Sequence, residues 1–227
     1  MAKYIFVVVG VGGTGSLLAR DLPKLLIGTN HEMILIDGDR VEEKNMKRQS
    51  YQLHDIGENK AIALSAKINS FYETTCRAHD KYLTKDEILM LCFGNIENKD
   101  IINDYKVPVI IGCVDNDKTR VILEKTFQSV NDCVYIDSAN SEFEGNVYIA
   151  SRSKGKQKGK CRSEIYELSM DVHPAEKSCQ ELAQENIQFL VTNVKMATVV
   201  LEHCNMLLKN DLKEGVTLVR GLETVHI

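Results

Sequence analysis

The sequence lacks several features that would assign it to a broad class of protein. No apolar run approaches the roughly 20 residues of a membrane-spanning helix, and the short apolar start has no cleavage-type tail of a signal peptide. The net charge of -4 gives no general reason to expect nucleic acid or a membrane surface as a partner. The seven cysteines have no paired short spacings, which is typical of reduced thiols. These absences predict a cytoplasmic protein.

No internal repeat or low-complexity segment divides the 227 residues, so we predict one domain. Residues 1–150 are expected to form a nucleotide-binding core, residues 151–178 a basic crossover loop, and residues 179–227 a helical and strand-containing C-terminal part. Strands alternate with helices at first, but two later strands are separated only by a short turn around Gly145. The predicted fold is α/β, a Rossmann-like doubly wound sheet that is mostly parallel with an antiparallel C-terminal extension.

The first sixty residues carry the strongest functional signal. Five apolar residues at 5–9 run into a turn that contains Gly10, Gly12, Gly13, Thr14 and Gly15. Glycines let a backbone approach an anion closely, and the N–H groups and positive dipole end of the following helix would face it. The second strand ends at Asp37, where a carboxylate can hold ribose hydroxyls. This unit predicts a nucleotide site.

The glycines alone do not identify the nucleotide, because G-x-G-x-x-G is shared with nicotinamide and flavin enzymes. The continuation is more specific: residues 37–49 read DGDRVEEKNMKRQ, and Lys60 opens the next predicted helix. A dehydrogenase does not need these cations, since its first turn already holds the pyrophosphate. A triphosphate does need them.

In these motifs the chain resembles the ThiF/MoeB/HesA family, the bacterial relatives of ubiquitin-activating enzymes, and especially its short members from mobile-element gene clusters. The family's G-x-G-G-x-G loop, D-x-D-x-V strand end, N-x-x-R-Q segment and following lysine all occur here in order. The resemblance implies an adenylyltransferase that uses ATP and Mg²⁺. Its substrate would be the C-terminal carboxylate of a ubiquitin-like or sulfur-carrier protein or of a peptide. It also implies a homodimer.

Several polar residues of these motifs are candidate ligands. Arg48 and Lys60 are predicted to neutralise phosphate charge, and Asp37 to hold the ribose. For Asp39, a ligand role and a turn-forming role both stay open. The resemblance further implies contacts to phosphate or to magnesium-bound water from Asn45 and Gln49.

Asp115 follows a buried apolar strand, at the sheet edge where open parallel sheets bind ligands, and is followed by Asn116. It matches the aspartate with which the family binds magnesium, so we expect Asp115 to be the metal ligand and Asn116 to lie beside the nucleotide. The alternative for Asp115 is an N-cap of the next helix.

Cys179 is the candidate for a second chemical step. It stands before the long helical pattern of residues 180–209, and a helix N-terminus lowers the pKa of a thiol. It also falls near the place where sulfur-transferring family members carry a reactive cysteine. The alternative is an unreactive cysteine. No pair of C-x-x-C motifs is present, so the structural zinc of many members is not expected.

Two other functions stay open. Family members often carry an arginine-bearing helix before the first strand, whereas strand one is expected here from about residue 4. The source of that arginine is therefore unassigned, which favours a non-catalytic nucleotide-binding assembly module. The third candidate is an NAD-dependent oxidoreductase on the same core.

Overall fold

The computed structural model describes residues 3–72, 74–94, 106–169 and 190–227. Within these ranges, short 3-10 turns occur at Glu43–Lys47, Leu53–Asp55 and Arg162–Glu164. The regular elements, in chain order, are β1 (Lys3–Val9), α1 (Gly13–Leu26), β2 (Glu32–Ile36), α2 (Lys60–Tyr72), β3 (Cys76–His79), α3 (Lys85–Phe93), β4 (Lys106–Gly112), α4 (Asp117–Ser129), β5 (Cys133–Asn140), β6 (Glu144–Ser153), β7 (Lys156–Lys158), α5 (Leu190–Leu208), β8 (Gly215–Arg220) and β9 (Glu223–His226).

The described strands form one sheet in the order β3-β2-β1-β4-β5-β6-β8-β9, with β7 paired to β6. From β3 to β5 all pairings are parallel, and from β5 onward they are antiparallel. In the centre, Val7 of β1 lies opposite Ile34 of β2 and Ile110 of β4. This arrangement confirms the predicted α/β fold with its antiparallel extension.

Helices cover both faces of the sheet, which explains why β1 is a continuous apolar run and not an alternating one. On one face Leu18 of α1, Leu64 of α2 and Val200 of α5 pack on the sheet. On the other face Ile88 of α3 and Phe127 of α4 do so. The carboxyl ends of the parallel strands are left open between the two layers.

Two local expectations were wrong. Gly145 does not form the turn between β5 and β6, because it lies within β6, paired with Asn140. The basic crossover loop expected at residues 151–178 is not a loop in its first part, because Ser151 pairs with Lys158 in a β6–β7 hairpin, and residues 170–178 lie outside the described residues. A short strand at the edge of a sheet needs no apolar residues, so its basic composition resembles that of a loop.

No helix within the described ranges is long and apolar enough to cross a bilayer. The six cysteines in those ranges are free thiols. Helix α5 and the strands β8 and β9 occur where the C-terminal pattern predicts them, whereas Cys179 and residues 180–189 lie outside the described residues.

Candidate functional site

A cavity of about 1080 Å³ opens at the carboxyl ends of β1, β2, β4 and β5. Most of the predicted site residues line it, although they come from five separate segments of the chain. They are Gly10, Gly12, Gly13, Thr14, Asp37, Asp39, Asn45, Arg48, Gln49, Lys60, Asp115 and Asn116. Gly15 does not line the cavity, and Cys179 lies outside the described residues.

The glycine turn is held in a shape that only glycine permits at two positions. Gly10 has a φ of +82°, which L-residues with side chains rarely adopt. A Cβ atom on Gly15 would stand 1.9 Å from the Gly10 carbonyl oxygen. The first turn of α1 therefore packs directly on the end of β1. This packing turns the unpaired amides at the start of α1 toward the cavity.

Asp37 fixes this turn to the end of β2. Its two carboxylate oxygens accept hydrogen bonds from the backbone N–H groups of Val11 at 2.8 Å and of Asp39 at 2.9 Å. Burial raises the pKa of Asp37 to about 6, against the attraction of Lys60. A carboxylate has further lone pairs, so the ribose contact stays a prediction beside this structural role.

Lys60 is nearly buried, and its Nζ lies 2.8 Å from Oδ2 of Asp39. Burial by itself lowers the pKa of Lys60, but attraction to Asp37, Asp39 and Asp115 outweighs it and raises that pKa. An ammonium has three N–H donors, and Asp39 uses one. Lys60 is therefore a fixed cation that retains donors for a ligand in the cavity.

The segment before α2 contributes three of the predicted residues. Arg48 is half-buried in the cavity wall. Oδ1 of Asn45 accepts a hydrogen bond from the Glu42 N–H at 2.8 Å, so Asn45 shapes the 3-10 turn. Gln49 is 8% exposed, and its Oε1 has no hydrogen-bond partner within the described ranges. A buried acceptor of this kind needs a donor from water or from a ligand.

Asp115 and Asn116 have different roles at the end of β4. Oδ1 of Asn116 accepts a hydrogen bond from the Thr119 N–H at 2.9 Å and caps α4. Asp115 is therefore not the N-cap, and its exposed carboxylate lines the cavity. The described residues contain no group of three or more metal-binding side chains. A single carboxylate at this place fits Mg²⁺, which typically takes one or two carboxylates together with phosphate oxygens.

The sequence did not reveal a buried ion cluster behind the cavity wall, of which Arg120 and Arg162 line the cavity. Asp137 of β5 is fully buried, with Arg120 Nε 3.2 Å from its Oδ1. Arg162 donates to Oδ2 of Asp137 and, at 2.7 Å, to Oδ1 of Asn146. Arg120 follows Asp117 by three residues on α4, a spacing that weakly predicts an ion pair between these two side chains on one helix face. The sequence did not indicate a site role for Arg162, because its segment has the composition of a loop.

A second set of contacts, whose pairing no local pattern shows, joins the glycine turn to α5. The Thr14 hydroxyl donates to Oδ1 of Asn140 at 3.3 Å, and Nδ2 of Asn140 donates to Oδ1 of Asn193 at 3.1 Å. Asn193 is fully buried beside Gly13. These side chains fix where the helix N-terminus points.

Comparison with known proteins identifies the family. The ThiF family profile matches residues 2–223, so the chain belongs to the ThiF family. Ubiquitin-like modifier-activating enzyme 5 of Caenorhabditis briggsae is 30% identical over 150 residues, which are 66% of this chain and 34% of that protein. The chain thus spans about a third of the length of this curated relative.

The fold is also similar to that of the microcin C7 biosynthetic enzyme MccB. MccB in complex with N-formylated MccA superimposes with a TM-score of 0.69 at 14% identity, covering 98% of this chain and 64% of that one. Escherichia coli MccB with ATP gives a TM-score of 0.65, also at 14% identity, over 98% and 62% of the two chains. At this identity the likeness shows the fold alone.

Proposed function

We propose that this ThiF-family chain uses ATP to adenylate the C-terminal carboxylate of a ubiquitin-like protein, a sulfur-carrier protein or a peptide. The observation that carries the proposal is the convergence of the helix N-terminus of α1, Arg48, Lys60 and Asp115 on one cavity. Three of these supply positive charge and one supplies a metal ligand, which is what a magnesium-bound triphosphate needs.

In the proposed reaction, a carboxylate oxygen of the substrate forms a bond to the α-phosphorus of ATP. The bond to the bridging oxygen breaks, and pyrophosphate leaves with its electron pair. The protein's part is to position the reactants and to stabilise charge that spreads over the phosphate oxygens. Arg48 has a planar fork for two oxygens, and Lys60 is held in place by Asp39.

The second half of the cavity supports a peptide tail as the acceptor of the adenylyl group. It extends past the glycine turn over β5, β6 and β8, where Ser141, Asn146, Leu218 and Arg220 line it. A volume of about 1080 Å³ lies at the upper end of the range for small-molecule pockets, roughly 1,000 Å³. This leaves room for a chain end beside a nucleotide. MccB, with its complexes of ATP and of MccA, offers a precedent in the same fold.

Mg²⁺ would be held by Asp115 together with phosphate oxygens and water. When bound, it neutralises phosphate charge and makes pyrophosphate a better leaving group. Asp115 and Lys60 line the same cavity, and attraction to Asp115 is one of the causes that raise the pKa of Lys60. Together these two residues would hold the metal and the phosphates at the end of β4.

A second step is acyl transfer to Cys179, in which the thiol forms a thioester and AMP leaves. Burial raises the pKa of every cysteine in the described ranges, with values of about 12 for Cys76, Cys92 and Cys113. These thiols stay protonated near neutral pH, and a thiol is a poor nucleophile. Cys179 is therefore the cysteine to test, by trapping a reducible adduct on wild type and on Cys179→Ser.

ATP–pyrophosphate exchange tests the proposal. The chain should exchange label only when Mg²⁺ and a carrier or peptide with a free C-terminal carboxylate are present. The same peptide with a C-terminal amide is the matched control, because it lacks the attacking oxygen. ATP binding without exchange across all candidates encoded nearby would instead indicate the non-catalytic assembly module. Tight NADH binding without ATP binding would indicate the oxidoreductase. Light scattering of the purified chain tests the proposed homodimer.

A further inference from the structure

Asn146 of β6 lines the second half of the cavity, two strands beyond β4 in the sheet. Its backbone is paired on both sides, with Ala139 of β5 and with Leu218 of β8. The preceding Gly145 is closely packed, since a Cβ atom there would stand 2.5 Å from the sulfur of Met196 and 2.9 Å from the Ala139 carbonyl oxygen. The backbone that carries the Asn146 side chain is therefore held rigidly.

Arg162 fixes the orientation of the Asn146 side-chain amide. Its Nη1 donates to Oδ1 of Asn146 at 2.7 Å. The guanidinium is itself held by Asp137, and it stacks on Tyr148 with 4.5 Å to the ring centroid. A guanidinium can only donate hydrogen bonds, so the amide oxygen and not the amide nitrogen must face it. The Asn146 Nδ2 is thus turned away from Arg162, and it has no hydrogen-bond partner among the residues that the structure describes.

The position of Asn146 relative to β4 indicates which ligand group can reach this donor. Neighbouring strands are about 4.8 Å apart, so β6 lies about 10 Å from β4. An extended chain covers about 3.5 Å per residue. A substrate whose terminal carboxylate reacts beside Asp115, at the end of β4, would therefore carry the carbonyl groups of its last few residues past Asn146. A peptide carbonyl that enters a cavity needs a donor in place of water.

We propose that Asn146 is a substrate-binding residue whose Nδ2 donates a hydrogen bond to one of the two peptide carbonyl oxygens nearest to the reacting carboxylate. This inference rests on the proposed adenylation and adds a specificity to it. The site selects a peptide chain end over a carboxylic acid that has no peptide groups, because such an acid leaves the Asn146 donor without an acceptor.

The test uses two acyl-adenylate mimics in which a sulfamate replaces the phosphate of AMP, so that no reaction occurs. One carries an N-acetylglycylglycyl group, and the other carries an octanoyl group, which has the same main-chain length without peptide groups. Titration calorimetry on the full chain gives both dissociation constants. Asn146→Asp keeps an acceptor for Arg162 but removes the donor. It should weaken the peptide mimic about three- to tenfold relative to the octanoyl mimic, which is the effect of one hydrogen bond.

Asn146→Ala removes the donor without adding a charge and should change the ratio of the two constants in the same direction. If this variant does not fold, Asn146→Leu, which keeps the volume, decides the same question. Asn131→Asp is the matched control, because it adds the same charge just before β5, at the end of that strand away from the cavity, and should leave the ratio unchanged.

The ratio separates binding from folding, because a loss of stability weakens both mimics equally. An unchanged ratio in the Asn146 variants would overturn the inference. A ratio that changes in Asn146→Asp but not in Asn146→Ala would overturn it as well, since the added charge would then be the cause. Wild type that binds neither mimic would remove the proposed adenylation itself, which is a different result.

Discussion

Replacing Lys60 by methionine gives the sharpest test of the charge arrangement in the cavity. Methionine keeps most of the volume and removes the ammonium, which leaves Asp37 and Asp39 without their shared cation. The side chains of Lys60 and Asp39 are 9% and 45% exposed, so this pair lies between the exposed and the buried cases. Exposed pairs contribute up to about 1 kcal/mol, and breaking buried ones costs about 3 to 5 kcal/mol. We expect a loss of about 2 kcal/mol, which lowers Tm by about 4 to 8 °C.

The effect on ATP should be larger than this loss of stability explains. A hydrogen bond between charged groups contributes about 1.5 to 3 kcal/mol, so ATP should bind about 10 to 150 times more weakly to Lys60→Met. Titration calorimetry with Mg·ATP measures the affinity, and calorimetric unfolding measures the stability.

Lys67→Met is the matched control. Lys67 lies two turns further along α2 and pairs with Asp55, with side-chain exposures of 24% and 5%, but it does not line the cavity. It should lose a similar amount of stability and keep wild-type ATP affinity. If Lys60→Met binds ATP as tightly as Lys67→Met does, the ammonium does not face the triphosphate and the reasoning fails.

Three further perturbations test other parts of the site. Asp115→Asn should raise the Mg²⁺ concentration for half-maximal exchange about tenfold at unchanged Tm. Asn116→Ala, by contrast, removes the N-cap of α4 and should lower the free energy of unfolding by about 1 kcal/mol. An unchanged Mg²⁺ requirement in Asp115→Asn would exclude the metal role. The pKa of Asp37 rises from 3.8 to about 6 on folding, so its contribution to the free energy of unfolding should fall as the pH rises between these values and stay constant above them. Urea unfolding of wild type relative to Asp37→Asn from pH 4 to 7 measures this, and a difference that grows with pH would contradict it. Gly15→Ala places a Cβ atom against the Gly10 carbonyl, and no side-chain rotamer relieves this clash. The substitution should therefore lower Tm by about 4 to 8 °C. A wild-type Tm would show that the glycine turn can shift to accommodate the Cβ atom.

Tyr82 illustrates what the sequence could not indicate. Its bond to Asp39 spans 43 residues, and no local pattern predicts which tyrosine meets an aspartate at that distance. Arg162 and Asp137 are 25 residues apart and meet because β6 and β7 fold back as a hairpin. That hairpin was mistaken for a loop, since the composition of an edge strand carries little information. The N-cap of α4 could not be assigned from the sequence either. The hydrogen bond from the Thr119 N–H shows that Asn116, and not Asp115, is the cap.

The sequence by itself determined the unit of strand, glycine turn and helix, the acidic end of the second strand, and the two cations after it. These features are local, because the period of apolar residues and the special backbone of glycine act over a few neighbours. The tertiary structure decided how each acid is placed: Asp37 is buried and anchors the glycine turn, whereas Asp39 is 45% exposed in the cavity and is held between Lys60 and Tyr82. The order of strands in the sheet sets these contacts, since it brings together chain segments that no short-range pattern links.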